Sequence, residues 1–513
     1  MKPACSGRMP DLCRGWHGQK IAGARCKNVL QKERQNMEEE SDTGQISTEK
    51  DNSVKTTKAP KRHNLRSRKK GRLCFFMSFC RKTTGYIKGQ PPGRIIAMGF
   101  ALVILAGALL LKLPVSVREG ADVSFIDALF TSTSAVCVTG LIAVDTADHF
   151  TVFGRTVVAL LIQIGGLGVT SVGVGFILMA GKRIGLKGRK LVREAMNVDT
   201  SKGMVRLVKN VLLMTLCFEG AGAVLSFVVF IRDYPPLEAL GISLFHSVAA
   251  FNNSGFDILG GLQNMIPYQS NVLLNLTTSG LIIFGGLGFL VILDVLRSRS
   301  FKKLCLHSKI VIVMSIFLIA AGTLSLKATE NITWLGAFFQ SVSARTAGFS
   351  SYPIGSFTDA GLFTLIILMF IGASPGSTGG GIKTSTFFVL IQAARSAATN
   401  QYAGAFKRKI PADVISKAFI ITFLSAIVVG TGTFIMCLLE PEYTFLQLAF
   451  EVTSAFGTVG LSTGITPDLG TAGKLVIILI MFIGRLGPLT IASLWTFKPT
   501  ANARFTEEGI TIG

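Results

Sequence analysis

Four short stretches of this sequence could aim backbone oxygens at a cation. They are residues 132–141, 247–256, 341–349 and 453–461. Each begins with a run of small, apolar and hydroxyl residues suited to a short helix. Each ends in a glycine (Gly140, Gly255, Gly348 or Gly460) followed by a large apolar residue. Glycine places its backbone where a residue with a Cβ is strained. The carbonyls of Val138 and Thr139, Asn253 and Ser254, Thr346 and Ala347, and Thr458 and Val459 can then be turned one way. Four such loops around one axis would make a cation filter. The glycines are 115, 93 and 112 residues apart, so a unit of membrane-pore size is repeated four times.

A second set of candidates lies roughly one span beyond each loop. Residues 164–168, 284–288, 371–375 and 483–487 echo one another and are rich in glycine. In the first two units, close helix packing through small residues explains them. The third continues into Gly376, Ser377, Thr378, Gly379, Gly380 and Gly381, directly after Pro375. A continuous helix there is disfavoured, since glycine costs about 1 kcal/mol and proline about 3 relative to alanine. Unwound backbone at membrane depth is tolerated where protein or a water-filled cavity surrounds it, which predicts a loop lining the ion path. Lys383, just beyond, is expected to reach the cytoplasmic surface. In the fourth unit the matching stretch carries Arg485. A guanidinium at membrane depth costs at least ~2.5 kcal/mol on insertion scales, so it should face the interior and find carbonyl or acidic partners. Arg485 and the glycine-rich loop together predict a constriction just inside the filter. Glu219 is a further intramembrane acid, suited equally to a structural ion pair or hydrogen bond with a neighbouring loop and to a role in transport. Asp145, Asp148, Asp257, Asp359 and Asp468 follow the filter glycines and would make a negative outer mouth that concentrates cations.

The elements that must hold these residues are membrane spans. With 49% hydrophobic and 16% charged residues and a mean hydropathy of +0.51, the chain is unlike a soluble protein. Two spans per unit are predicted: residues 95–113 and 153–180, 211–230 and 272–296, 310–326 and 362–391, and 415–439 and 474–494. The first pore helix is expected at residues 125–136. This gives an all-α polytopic membrane protein: four membrane–pore-loop–membrane repeats, or eight spans, around a central pseudo-fourfold pore. The units are residues 95–200, 201–300, 301–409 and 410–497, with tails at 1–94 and 498–513. The N-terminal tail carries 22 Lys and Arg against 8 Asp and Glu, and reads as disordered. Its basic character and the basic clusters after each unit put both termini on the cytoplasmic side of a plasma membrane. The formal charge of +23 is thus membrane-surface basicity; nucleic acid is not the implied partner. Nine scattered cysteines without CxxC spacing read as free thiols. No HExxH, nucleophile–base pair or phosphate loop appears, so an enzyme is not indicated.

The four loops, the break at residues 376–381 and Arg485 resemble the Trk/Ktr/HKT superfamily of potassium transporters over about residues 90–513. Eight spans and the ending at residues 507–513 look most like the membrane-embedded B component of the bacterial Ktr potassium-uptake systems. The resemblance implies K⁺ uptake, Na⁺ dependence, a homodimer with one pore in each protomer, and a cytoplasmic nucleotide-binding regulatory ring like the A component of the Ktr systems. Nucleotide would act only through that ring. It also implies that the four glycines form the filter and that the third-unit break and Arg485 gate it. The sequence departs from the family in its long basic tail. Its third loop is also one residue short when aligned on Phe339 against Phe130, Phe245 and Phe450. The alternative is a secondary symporter binding a small organic solute at the broken helix.

Overall fold

A computed structural model of the chain describes residues 90, 92–179 and 204–493. The N-terminal tail up to residue 89, the basic cluster at residues 182–193 and the C-terminal ending lie outside the described residues. The first unit contains α1 (Pro92–Leu111), α2 (Phe125–Cys137), α3 (Val152–Leu167) and α4 (Val169–Met179). The second contains α5 (Met204–Phe230), α6 (Pro236–Phe251), α7 (Val272–Leu287) and α8 (Phe289–Ser298). The third contains α9 (Leu306–Thr329), α10 (Trp334–Ser343), α11 (Asp359–Phe370) and α12 (Thr384–Thr399), then a hairpin of β1 (Gly404–Ala405) and β2 (Arg408–Lys409). The fourth contains α13 (Ala412–Leu439), α14 (Phe445–Gly457), α15 (Thr471–Leu486) and α16 (Pro488–Ser493).

Each unit opens with one unbroken apolar helix. Among the described residues, α1, α5, α9 and α13 are long and apolar enough to cross a membrane, or five spans qualify if the bent pair α7–α8 counts as one. Each is followed by a short helix with a defined start. Ser124, Thr333 and Thr444 accept hydrogen bonds from the backbone three residues on, and Thr444 completes a capping box with Gln447. α6 instead begins at Pro235-Pro236, where the missing N–H costs nothing.

The same joint locks these pieces in every unit. Gly107, Gly222, Gly322 and Gly432 lie on the long helices. A Cβ on them would come within 2.7, 2.6, 2.7 and 2.7 Å of Leu161, Leu281, Leu368 and Ile480 on the third helix of the unit. The absence of a side chain therefore lets the helices approach. In three units a short-helix serine then bonds a long-helix carbonyl: Ser132 to Ile104, Ser247 to Glu219 and Ser341 to Ile319, at 2.6–2.8 Å. The fourth unit has Val452 at that place, so apolar packing replaces the bond.

In units one, two and four the second segment departs from the expected single helix. Gly168, Gly288 and Gly487 stand at φ +82°, +91° and +85°, a left-handed backbone that ends α3, α7 and α15. α7 and α8 meet at 94°. Packing explains other glycines of the same motifs. A Cβ on Gly165, Gly285 or Gly484 would strike the backbone oxygen of Val136, Phe251 or Phe456, near the end of the unit's own short helix. Close packing in units one and two is thus half of the account: the leading glycines pack and the last one breaks the helix. In the third unit the interruption is a whole loop, from Ile371 to Lys383, as the sequence predicts.

Candidate functional site

The four glycine loops share one backbone pattern. Val138, Asn253, Thr346 and Thr458 have φ +57°, +59°, +78° and +49°. Two residues on, Gly140, Gly255, Gly348 and Gly460 have φ +91°, +67°, +78° and +94°. A non-glycine residue held at positive φ is strained by about 1–3 kcal/mol and persists only where its surroundings enforce it. Thr139, Ser254, Ala347 and Val459 between them are fully buried.

The loops touch one another in a closed cycle. A Cβ on Gly140 would lie 3.0 Å from the Gly255 Cα, and one on Gly255 would lie 2.8 Å from the Gly348 Cα. From Gly348 to Gly460 the figure is 3.0 Å, and from Gly460 back to Gly140 it is 2.8 Å. Loops one, two and four turn alike. The N–H of the left-handed residue bonds three residues back and the next N–H five back, as in Val138 to Ala135 and Thr139 to Ser134. The third loop exits differently: both Ala347 and Gly348 donate to Ser343 O, at 2.9 and 3.4 Å. Its missing residue is absorbed in that turn, and the dihedral pattern at Thr346 and Gly348 is retained.

A polar side chain of each short helix lies nine residues before the glycine, or eight in the shortened third. These residues are Thr131, His246, Gln340 and Glu451, all buried. Glu451 accepts from Ser462 Oγ, Thr463 N, Thr463 Oγ1 and Thr466 Oγ1 at 2.7–3.0 Å. Gln340, with its amide oxygen turned towards residues 350–352, accepts from Ser351 N and Tyr352 N. His246 bonds Thr278 Oγ1 at 2.8 Å and meets the Phe349 ring edge-on at 5.1 Å. Three of the four thus hold the chain beyond a glycine loop. Sequence reasoning passed them over; their signal was a polar residue at one offset inside apolar helices.

Glu219 likewise proves to be a brace. Asn252 Nδ2 donates to Glu219 Oε1 (3.0 Å) and to Gln163 Oε1 (2.8 Å), and Gln163 Nε2 reaches Glu219 Oε2 (3.3 Å). Two units are joined there, directly before the second loop. Arg345, also passed over, is buried and donates to Ser315 O and Oγ.

The third-unit loop and Arg485 do come together. Arg485 donates from Nη1 to Thr378 O and from Nη2 to Gly165 O, which joins the fourth, third and first units. The loop also meets the glycine ring. Gly380 N donates to Thr458 Oγ1 (2.9 Å), Thr378 Oγ1 to Asn253 Oδ1 (3.2 Å) and Asn253 Nδ2 to Thr346 Oγ1 (3.4 Å). A Cβ on Gly379 would crowd Thr346. The loop is further tied to the second-unit break through Ser374 N to Gly286 O, Thr378 N to Gly285 O and Phe289 N to Gly376 O. Ser377 bonds within the loop, to Ser374 O. Gly381 stands at φ +67°, where the chain turns into the Ile371–Ile382 bridge that closes the loop. Lys383 corrects the sequence expectation. Its Nζ turns back onto Gly379 O (2.7 Å) and Gly380 O (3.2 Å), because those carbonyls have lost their helical partners and a donor four residues away can reach them.

On the opposite side of the ring is a cavity of about 370 Å³ whose walls include Gly140, Gly348 and Gly460. Of the five expected mouth acids, Asp257 alone lines it. Burial pushes its carboxyl up to about 7, and the negative charges of Asp145 and Asp148 push the same way. Asp145 and Asp148 are structural. Asp145 caps the short helix Thr146–His149 and takes Leu262 N, and Asp148 takes Gly261 N. Asp359 sits in the first turn of α11 and Asp468 in a turn before α15. Among the described residues no group of three His, Cys, Asp or Glu is placed to hold a metal ion.

Known proteins match the chain over most of its length. The family described as TrkH, cation transport protein, matches residues 95–318 and 306–502. The chain is 40% identical to the Ktr system potassium uptake protein B of Bacillus subtilis, over 84% of this chain and 99% of that one. It is 38% identical to the potassium/sodium uptake protein NtpJ of Enterococcus hirae, over 83% and 98%. The crystal structure of the potassium transporter TrkH from Vibrio parahaemolyticus superposes with a TM-score of 0.65 at 19% identity, covering 80% of this chain and 86% of that one. With four glycine loops, apolar helices of membrane length and this match along nearly all of the described chain, the protein belongs to the TrkH family of cation transport proteins and is an integral membrane transporter, not an enzyme.

Proposed function

We propose that the protein takes up potassium through the axis of the glycine ring, with eight membrane crossings arranged as four pseudo-equivalent units. The observation that carries this reading is the closed cycle of four loops, each with the same pair of left-handed residues. Such a pair turns successive carbonyls to one side, and carbonyls replace the hydration shell of a cation. Val138, Thr139 and Gly140 with Asn253, Ser254 and Gly255 line one half of the filter. Thr346, Ala347 and Gly348 with Thr458, Val459 and Gly460 line the other. The relatives named for potassium uptake support K⁺ as cargo, and the one named for potassium and sodium supports a role for Na⁺.

Residues 376–381 and Arg485 form the gate. The loop lies against three of the four filter loops, and Arg485 adds a fixed charge there. At ~6 Å and an effective dielectric of ~20, that charge opposes a cation by about 3 kcal/mol, worth roughly a hundredfold in rate. Names of relatives as components of a Ktr system support a partner protein. The reading includes a homodimer, both termini in the cytoplasm and a nucleotide-binding ring acting on the gate. The test is flux of K⁺, Rb⁺ and Na⁺ in proteoliposomes of the purified chain. Saturable K⁺ flux is expected; saturable flux of a neutral organic solute without cation flux would overturn the assignment.

A further inference from the structure

A cavity of about 540 Å³ lies away from the ion path, where α12 turns through the β-hairpin into α13. Its walls include Gln392 and Arg395 of α12, and Tyr402, Lys407, Arg408 and Lys409 of the hairpin. No aspartate or glutamate lines it. The ion pairs among the described residues are Lys417–Asp413 and Lys474–Asp127, so none of these four cations is neutralised by one. Positive-inside topology asks only for charge near the membrane. It does not ask that the charges surround a cavity or that the backbone be fixed there, and here both are found.

The hairpin is held against its own preferences. Its turn residues Phe406 and Lys407 both have positive φ, +49° and +64°. A two-residue hairpin of this hand usually takes asparagine and glycine. The turn is anchored by Phe406 edge-on to Phe301 at 6.2 Å, with Lys309 lying over both rings. Lys409 lies 4.3 Å from the Tyr402 ring centroid, which draws one cation to the cavity wall. From this wall α12 runs 16 residues, about 24 Å, back to Lys383 and the carbonyls of Gly379 and Gly380. Only Thr384 and Val389 of that helix are buried.

We propose that the hairpin cavity binds a phosphate ester, held by Arg395 and the hairpin cations, and that α12 passes its occupancy to the loop at residues 376–381. Arg395 offers a planar fork of donors suited to phosphate oxygens, and the lysines add point charges. The ester comes from a soluble nucleotide or from a lipid headgroup; both present the same chemistry to this wall. The binding half stands independently, whereas the coupling half rests on the gate reading above.

The full chain is titrated with ATP by calorimetry. It is also placed in phosphatidylcholine nanodiscs with or without phosphatidic acid, and the retained lipid is counted by native mass spectrometry. Arg395→Gln with Lys409→Gln is compared with Lys302→Gln and Lys303→Gln, an equal charge loss outside the cavity. The cavity pair is expected to weaken one probe by about tenfold or more, as loss of charged hydrogen bonds predicts, and the outer pair to leave it unchanged. Loss of ATP binding identifies a soluble ligand, and loss of phosphatidic acid identifies a lipid. Binding of neither probe, or equal weakening by both pairs, overturns the site. Binding by the wild type that leaves its K⁺ flux unchanged overturns the coupling through α12, while the site itself is judged by the titrations alone.

Discussion

The glycine ring and the helix breaks occupy matching places in all four units, yet they differ in kind. The ring is nearly uniform: four loops of different sequence adopt one dihedral pattern, and even the shortened third loop keeps it. The breaks are unequal. Gly168, Gly288 and Gly487 interrupt their segments at a single residue, whereas the third unit spends a whole loop between Ile371 and Lys383. Uniformity follows from a shared constraint, since each ring glycine is hemmed in by backbone of the next unit. Asymmetry is possible at the breaks because some of them face open space. Among the described residues, no atom beyond the adjoining chain lies within 4 Å of where a Cβ would stand on Gly168 or Gly487. One region therefore depends on every unit being alike, and the other uses one unit being different.

That contrast sets the size of the expected mutational effects. Gly460→Ser and Gly140→Ser meet both penalties, a positive φ and backbone of the neighbouring loop, first the carbonyl oxygen of Thr139 or of Ser254. Cutting K⁺ uptake by about a hundredfold or more, with loss of K⁺ over Na⁺ discrimination, is the expected result for about 3 kcal/mol of misfit. Matched flux measurements with both ions decide it, and an unchanged flux ratio in both variants would remove these loops from the filter.

Next come the gate changes, which should act in the opposite direction. Arg485→Ala, or a shortened loop at residues 376–381, is expected to raise K⁺ flux by up to roughly a hundredfold, the barrier assigned to the fixed charge. The double change should match the faster single one, because Arg485 and Thr378 are partners in one contact. Flux that falls in both single variants, with normal assembly, would mean that the pair supports the open pore.

A smaller effect is expected at the cavity beside the ring. The Asp257 carboxyl, pushed up to about 7, is charged above that pH and neutral below it. As pH on the cavity side of the ring falls from 8 to 6 the wall loses a negative charge, so the KM for K⁺ should rise several-fold, about what 1 kcal/mol of cation attraction provides. Asp257→Asn should hold the high KM at every pH. A wild-type KM that does not vary with pH would assign Asp257 a structural role only.

The smallest change tests the breaks directly. Gly487→Ala meets strain but no neighbour. A loss of about 1 kcal/mol in stability is expected, with the ion flux kept. In Gly288→Ala the added Cβ would face Pro375 O at 2.7 Å, so the second-unit break should be disturbed more. Thermal unfolding of the two variants side by side separates strain from crowding; equal shifts would argue that neither break is sterically fixed.

Much of this was legible in the residues. Apolar runs give spans because hydrocarbon rejects charge, and a glycine recurring at the end of a hydroxyl-rich stretch marks a repeated turn. Proline beside clustered glycine cannot keep a helix, which located residues 376–381. Arg485 announced a buried carbonyl or acidic partner because an arginine at membrane depth requires one, and the structure chose carbonyls. What could not be read was which glycine did which work. Gly165 and Gly168 are three residues apart in one motif; the first is fixed by Val136 packed against it and the second by its own backbone angle. Composition is the same for both.

The sequence by itself determined the four units, the positions of their ring glycines, the third-unit break and the family, because each depends on local residue type and its spacing along the chain. The tertiary structure alone decided how those parts meet. It directed Arg485 to Thr378 and Gly165, turned Lys383 back onto its own loop, and separated Asp257 at the cavity wall from Asp145 and Asp148 in their loop contacts. The physical reason is that a buried donor or charge must find a partner; for Arg485, Asp145 and Asp148 that partner lies more than a hundred residues away in the chain, and for Lys383 it is the unwound backbone of its own loop.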